Sequence, residues 1–161
     1  MVPVDIQIRP IRAADRAALG DGWLAQSAET QHRRFLTAKP RLSPAELRYL
    51  TEVDGAMHVA LVAVDRRDNI VGVARFVRDA EDPASAEFAV VVGDLFQGHG
   101  IGSLLAATLA DRARELGVER FTAFMLHDNV PARRLMETIG ERLTAHPLGS
   151  GVVEYATPLA A

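Results

Sequence analysis

The sequence predicts an α/β (α+β) fold, a mixed central sheet with helices on its faces, and three observations carry that prediction. Short β-rich apolar runs alternate along the chain with segments of helical patterning. Two of the runs, His58 to Val64 and Ile70 to Val77, flank Asp65-Arg66-Arg67-Asp68-Asn69 and read as a hairpin with a five-residue loop. The apolar run Ala86 to Val92 leads through Gln97-Gly98-His99-Gly100-Ile101-Gly102-Ser103 into the amphipathic run Leu104 to Leu116, so a strand feeds a helix through three glycines.

In chain order, Val4 to Arg9 alternates apolar and polar residues as a half-buried strand does, and Pro10 ends it. Asp15 to Trp23 and Glu29 to Phe35 read as short helices separated by Ser27. Ser43-Pro44-Ala45-Glu46 combines an N-cap serine, proline at the first helical position and glutamate at the third, which starts a helix over Pro44 to Thr51. After the hairpin, Asp79 to Pro83 turns the chain into the run at Ala86. Phe88-Ala89-Val90-Val91-Val92 does not alternate, so this strand is expected to be central and covered on both faces. In the next helix Leu104, Leu105, Thr108, Leu109, Ala113 and Leu116 mark the apolar face, and Gly117 caps the end. Phe121 to Leu126 is another buried strand. Asn129 caps a helix that carries an early Pro131 and runs to Ile139, where Gly140 closes it. Glu141 to Ala145 and Val152 to Thr157 are the last strands, divided by Pro147 and Gly149.

Composition narrows the function. A chain of 161 residues that is 48% hydrophobic suits one domain, 1–161, with a sizeable core. A formal net charge of -3 with scattered basic residues gives no electrostatic footprint for nucleic acid. With no cysteine there is no disulfide, thiolate metal site or Cys nucleophile. The five histidines lack metal-ligand spacing, so no metal is expected. Ser103 has no G-x-S-x-G context and is not expected to be a hydrolase nucleophile. Met1 to Arg12 lacks a signal-peptide profile and no apolar run approaches the ~20 residues of a membrane span, so the expectation is a cytoplasmic protein with no membrane partner.

A glycine-rich strand-to-helix loop collects bare backbone N–H groups at the positive end of a helix, where side chains do not block a phosphate. The spacing excludes two such loops. No Lys follows Gly102 as a Walker A loop requires, and Ser103 stands where the Rossmann fingerprint needs its third glycine. Gln97-x-x-Gly100-x-Gly102 instead resembles the pyrophosphate loop of the GNAT superfamily of acetyl-CoA-dependent N-acetyltransferases. Asn129 followed by Ala132, Leu135 and Gly140 is similar to the family's later motif, and the element order from about Ile6 to Thr157 is similar to its mixed, mostly antiparallel sheet.

That resemblance implies the chemistry. The strands at Phe88–Val92 and Phe121–Leu126 would splay, with the pantetheine arm of acetyl-CoA pairing along Val90, Val91 and Val92 as an added strand. The diphosphate would lie over Gln97, Gly98, His99, Gly100, Ile101 and Gly102, with Ser103 and Asn129 near it. Many relatives carry Arg or Lys in this loop, whereas Gln97 and His99 are neutral here, so the backbone is expected to carry more of the affinity.

Glu87 is the one charge in the apolar strand Ala86 to Val92, and desolvation there would raise its pKa toward the range of a general base. The resemblance places the family's catalytic glutamate in this strand; the alternative is a structural bridge from Glu87 to Arg75 or Arg78. The family's tyrosine acid, seven residues after Asn129, is replaced by Met136, which leaves that role unassigned. Arg33-Arg34-Phe35, Leu50-Thr51-Glu52-Val53-Asp54, Gly72-Val73-Ala74-Arg75-Phe76 and the segment around Glu87 resemble the acetyltransferase domain of bacterial Pat-type protein-lysine acetyltransferases. The acceptor implied is a protein lysine; a small-molecule amine is the alternative, and a non-catalytic acyl-CoA-binding module a third reading. Asp79, Glu81, Asp82, Glu52 and Asp54 are expected either to form an acidic mouth for a cationic amine or to be ordinary solvated turn residues.

Overall fold

The computed structural model describes residues 5–37 and 39–160. Seven strands, β1 (Gln7–Pro10), β2 (His58–Val64), β3 (Ile70–Arg78), β4 (Ser85–Val92), β5 (Arg120–Leu126), β6 (Thr144–Gly149) and β7 (Val152–Pro158), form one sheet in the order β1-β2-β3-β4-β5-β7-β6. Every neighbouring pair is antiparallel except β4 with β5. The five-residue loop of the β2–β3 hairpin is held by Asp65, whose Oδ1 accepts the N–H groups of Arg67 and Asn69, each at 2.9 Å. Val4, the expected start of the first strand, lies outside the described residues.

Helices α1 (Arg16–Leu24), α2 (Ala28–Phe35) and α3 (Pro44–Thr51) cover one face, and α4 (Ile101–Glu115) covers the other, with α5 (Val130–Ile139) against α4 and β7. Alternation along β4 divides the core accordingly: Ala86 and Phe88 pack with Phe76, Leu105 and Phe121 beneath α4, whereas Val91 packs with Trp23 and Leu50 beneath α1 and α3. The capping box of α3 forms as its sequence dictates. Ser43 Oγ accepts the Glu46 N–H at 3.1 Å, and Glu46 Oε1 accepts the Ser43 N–H at 3.0 Å.

Three expectations differ in detail. The buried stripe of α4 is Ile101, Leu105, Ala106, Leu109, Ala110 and Ala113; the helix starts three residues before Leu104, which projects from the packed face. β6 starts at Thr144, not Glu141, and runs through Pro147. Pro147 is tolerated there because β6 is an edge strand with one side unpaired, so a missing N–H need break no ladder. Gly140 does end α5, but in an extended conformation. The reason for glycine is space: a Cβ there would lie 1.9 Å from Oγ1 of the fully buried Thr157.

Candidate active site

The site begins where the sheet opens. β4 and β5 pair only at Ser85–Arg120, Ala86–Phe121 and Glu87–Thr122; beyond Glu87 the two strands part. At the ends of the β3–β4 pair the Gly93 N–H donates to the Val71 carbonyl (2.8 Å) and the Asp79 N–H to the Ser85 carbonyl (2.9 Å). In an antiparallel ladder bonding residues alternate, so the odd-numbered residues of β4 exchange bonds with β3 and the even-numbered ones face away from it. Peptide groups of Val90 and Val92 therefore face the gap, an open edge suited to an extended ligand arm. The Val92 carbonyl accepts from Gln97 Nε2 at 3.0 Å, which ties the following loop to the strand end.

A cleft of about 570 Å³ occupies this gap. Val90, Val91, Val92, Gln97, Gly98, Gly100, Ile101, Gly102, Ser103 and Asn129 all line it. His99 does not: it is exposed and outside the lining. Gly98 and Gly100 hold φ of +81° and +82°, the left-handed region where a side chain is strained, and α4 starts at Gly100 without a side-chain cap. Its first-turn N–H groups thus stay available to an acceptor from outside the helix. Across the cleft, Asn129 Oδ1 accepts the Ala132 N–H at 3.4 Å and fixes the start of α5. Asp94 accepts from the Ser27 N–H and the Thr30 hydroxyl, each at 2.6 Å, and so fastens α2 to the far wall; these hydrogen bonds, Thr30 foremost, hold its carboxyl below the usual range.

The expected want of positive charge around the loop is made good from elsewhere. Arg33 on α2 and Arg134 on α5 line the same cleft. Sequence reasoning centred on the loop did not find them, although Arg134 follows Asn129 by five residues. An uncapped helix N-terminus, open strand amides, left-handed glycines and flanking guanidinium groups together form a donor set that fits a long, phosphate-bearing cosubstrate.

Glu87 corrects the burial expectation. It is exposed, not desolvated, because at this end of β4 the face it shares with Val77 and Ala89 opens into a second cavity of about 250 Å³. The alternative bridges to Arg75 or Arg78 do not form. Arg75 Nη1 donates to the Leu50 carbonyl (3.0 Å) and to His58 Nε2 (2.9 Å), and Arg78 Nε donates to the Pro83 carbonyl (2.8 Å). Because arginine only donates, His58 accepts through Nε2 and carries its proton on Nδ1. Burial, with Arg75 beside it, pushes the His58 pKa down to about 4.

Arg34, Glu46, Tyr49 and Arg75 also line the Glu87 cavity, and Arg34 lines the larger cleft as well, so one side chain borders both spaces. Glu46 is committed elsewhere, to Lys39 Nζ at 2.5 Å and the Ser43 N–H, and Lys39 first and then Ser43 lower its pKa to about 2. Burial lowers the pKa of Arg34, with Glu87 opposing. Tyr49 stands with its ring centroid 5.0 Å from that of His58. Met136 is fully buried in the core and reaches neither cavity.

The acidic mouth does not assemble. Asp54 accepts the N–H groups of Ala56, Met57 and His58, Glu52 pairs with Arg16, and Asp82 takes the Ser85 hydroxyl and Arg120. None of the five carboxylates lines either cavity. Among the described residues no three His, Asp or Glu side chains are placed to hold a metal ion, and no helix is long and apolar enough to cross a membrane.

Comparison with known proteins joins this geometry to a family. Residues 5–142 match the model of the acetyltransferase (GNAT) domain. The acetyltransferase Pat of Mycolicibacterium smegmatis is 35% identical over 98% of this chain and 49% of its own length, so the chain spans about half of that relative. The crystal structure of the GNAT domain of S. lividans PAT superposes with a TM-score of 0.85 at 30% identity, covering 96% of this chain and 90% of that one. A putative acetyltransferase from Salmonella typhimurium, solved with acetyl-CoA, shares the fold at a TM-score of 0.76 and 21% identity, covering 96% and 93% of the two chains. On the family match over residues 5–142 and the 35% identity over nearly the whole chain, this chain belongs to the GNAT family of acetyltransferases.

Proposed function

We propose that this acetyltransferase moves an acetyl group directly from acetyl-CoA to the side-chain amine of a protein lysine, with Glu87 as general base. One observation carries the reading: β4–β5 pairing stops at Glu87, so the one carboxylate of the smaller cavity without an ion-pair partner among the described residues stands at the apex of the opening whose wider part is the cleft. In the larger cleft the peptide groups of Val90 and Val92 hold the pantetheine arm, with Val91 part of the wall. The backbone from Gln97 to Ser103, with Arg33 and Arg134, holds the diphosphate, and Asn129 borders it. His99 flanks this loop from outside the cleft. Acetyl-CoA, when bound, supplies the thioester carbonyl that the amine attacks.

A lysine ammonium has a pKa of about 10.4, so the attacking lone pair is almost fully protonated near neutrality. A Glu87 oxygen accepts that proton as the N–C bond forms. Since Glu87 is exposed, it works as a solvated carboxylate that exchanges its proton with water after each turnover. The thioester C–S bond breaks and the thiolate, with a pKa near 8.5, leaves without a dedicated acid, which is consistent with Met136 lying in the core. The lysine acceptor is supported by the likeness to Pat over nearly the whole chain.

Isotope-labelled acetyl-CoA, incubated with the protein and with either lysine-bearing proteins or small amines, distinguishes the acceptors by mass spectrometry. Label on lysine side chains is the expected result. Label on small amines alone would replace the acceptor and leave the chemistry standing.

A further inference from the structure

We propose that the 250 Å³ cavity beside Glu87 contains a carboxylate subsite formed by Arg34 and Arg75, so that preferred acceptors carry a carboxylate close to the amine that is acetylated. This deepens the transferase reading and rests on it.

Arg75 is 5% exposed, on the middle strand of a β2–β3–β4 ladder. Its bonds to Leu50 and His58 both leave from Nη1, and no hydrogen bond among the described residues uses its Nε or Nη2. Those donors belong to a residue that lines the cavity. Arg34 lines it from α2, with its guanidinium carbon 4.4 Å from the centroid of the Phe35 ring. Neither arginine takes part in any ion pair among the described residues.

A buried cation such as Arg75 without a counter-ion is costly, and the half-buried Arg34 beside it adds to the cost. Burial and the neighbouring Arg34 bring the Arg75 pKa down to about 9, the mark of a guanidinium short of anionic partners. The other charged groups at the cavity do not meet the need. Glu46 is tied to Lys39, Glu87 stands beyond ion-pair distance and His58 is held neutral. A bare ammonium entering here would meet two guanidinium groups, whereas an acceptor that also bears a carboxylate brings their missing partner. The planar fork of arginine suits bidentate binding of a carboxylate. The carboxylate has two possible sources, an acidic residue flanking a peptide lysine or the carboxylate of a free amino acid, and the experiment separates them.

The test measures kcat/KM from CoA thiol release for two matched pairs: a lysine peptide flanked by Asp against the same peptide flanked by Asn, and free lysine against lysine amide. In the unaltered protein at least one carboxylate member is expected to exceed its amide by about tenfold or more, chiefly through KM. In Arg34→Gln, and separately in Arg75→Gln, that ratio should fall toward one. The pair that shows the preference identifies the source. A ratio near one in the unaltered protein, with turnover measurable, would overturn the subsite and leave the transferase reading intact; so would a ratio that survives in both variants. Should no acceptor be acetylated, the transferase reading fails, and calorimetry with hexanoate against hexanamide still decides the subsite. Saturable hexanoate binding that Arg34→Gln abolishes supports it, and equal binding of the two ligands refutes it.

Discussion

Replacing Gly102 by alanine separates the fold from the ligand site. Gly102 is the second residue of α4 and has ordinary helical dihedrals, so unlike Gly98 and Gly100 it is not needed for a left-handed turn. An added Cβ would lie 3.4 Å from Val92 Cγ2 and 3.5 Å from Leu135 Cδ1, ordinary contact distances that require no repacking. Alanine in place of glycine favours a helix by up to about 1 kcal/mol, which for a domain of this size raises Tm by about 2–4 °C. Yet Val92 and Leu135 both line the larger cleft, so the new methyl group stands beside the first-turn N–H groups assigned to the diphosphate. Losing one charge-assisted hydrogen bond costs about 1.5–3 kcal/mol, or about 10- to 150-fold in Kd. Differential scanning fluorimetry and calorimetry with acetyl-CoA should thus give an unchanged or higher Tm together with weaker binding. Affinity within twofold of the unaltered protein would show that no phosphate approaches this helix start.

Gly140→Ala should lower Tm by roughly 3–10 °C, because a Cβ placed 1.9 Å from buried Thr157 forces an overpacking cost of about 1–3 kcal/mol or more; thermal unfolding reads it directly. Arg134→Ala should weaken acetyl-CoA binding about 3- to 10-fold at low ionic strength, with the difference shrinking as salt rises, since this side chain is exposed. His58 is neutral when folded and its pKa falls from 6.5 to about 4, so the unfolded state binds more protons in that interval. Its contribution to stability is present in full above pH 6.5 and is lost as the pH drops toward 4; denaturant titrations should show this slope, and His58→Asn should flatten it.

Much of the fold was legible because local chemistry and tertiary packing agree. The capping box at Ser43 and Glu46, the Asp65 loop and the three glycines after β4 each impose a structure that any packing must accept. Less legible were features set by what lies across the sheet. An apolar run such as Phe88–Val92 reads as covered on both faces, but Val90, Val91 and Val92 are half-buried because they wall a cleft that appears only when β5 diverges. For the same reason Glu87 read as a buried acid and proves to be an exposed one at a cavity mouth. Arg33, Arg34, Tyr49 and Arg134 reach the cavities from helices distant in sequence, and no spacing rule connects them to the glycine loop. Arg75, which read as a partner for Glu87, is instead held by Leu50 and His58.

The role of Glu87 is tested most directly by Glu87→Gln, with acetyl-CoA affinity and turnover measured on the same preparation. Because Glu87 lines the smaller cavity and not the larger cleft, Kd for acetyl-CoA should stay within about twofold, while kcat near neutral pH falls by about 10²- to 10⁴-fold, the range a general base supplies. Turnover equal to that of the unaltered protein, with binding intact, would contradict the account and require the proton to leave by another route.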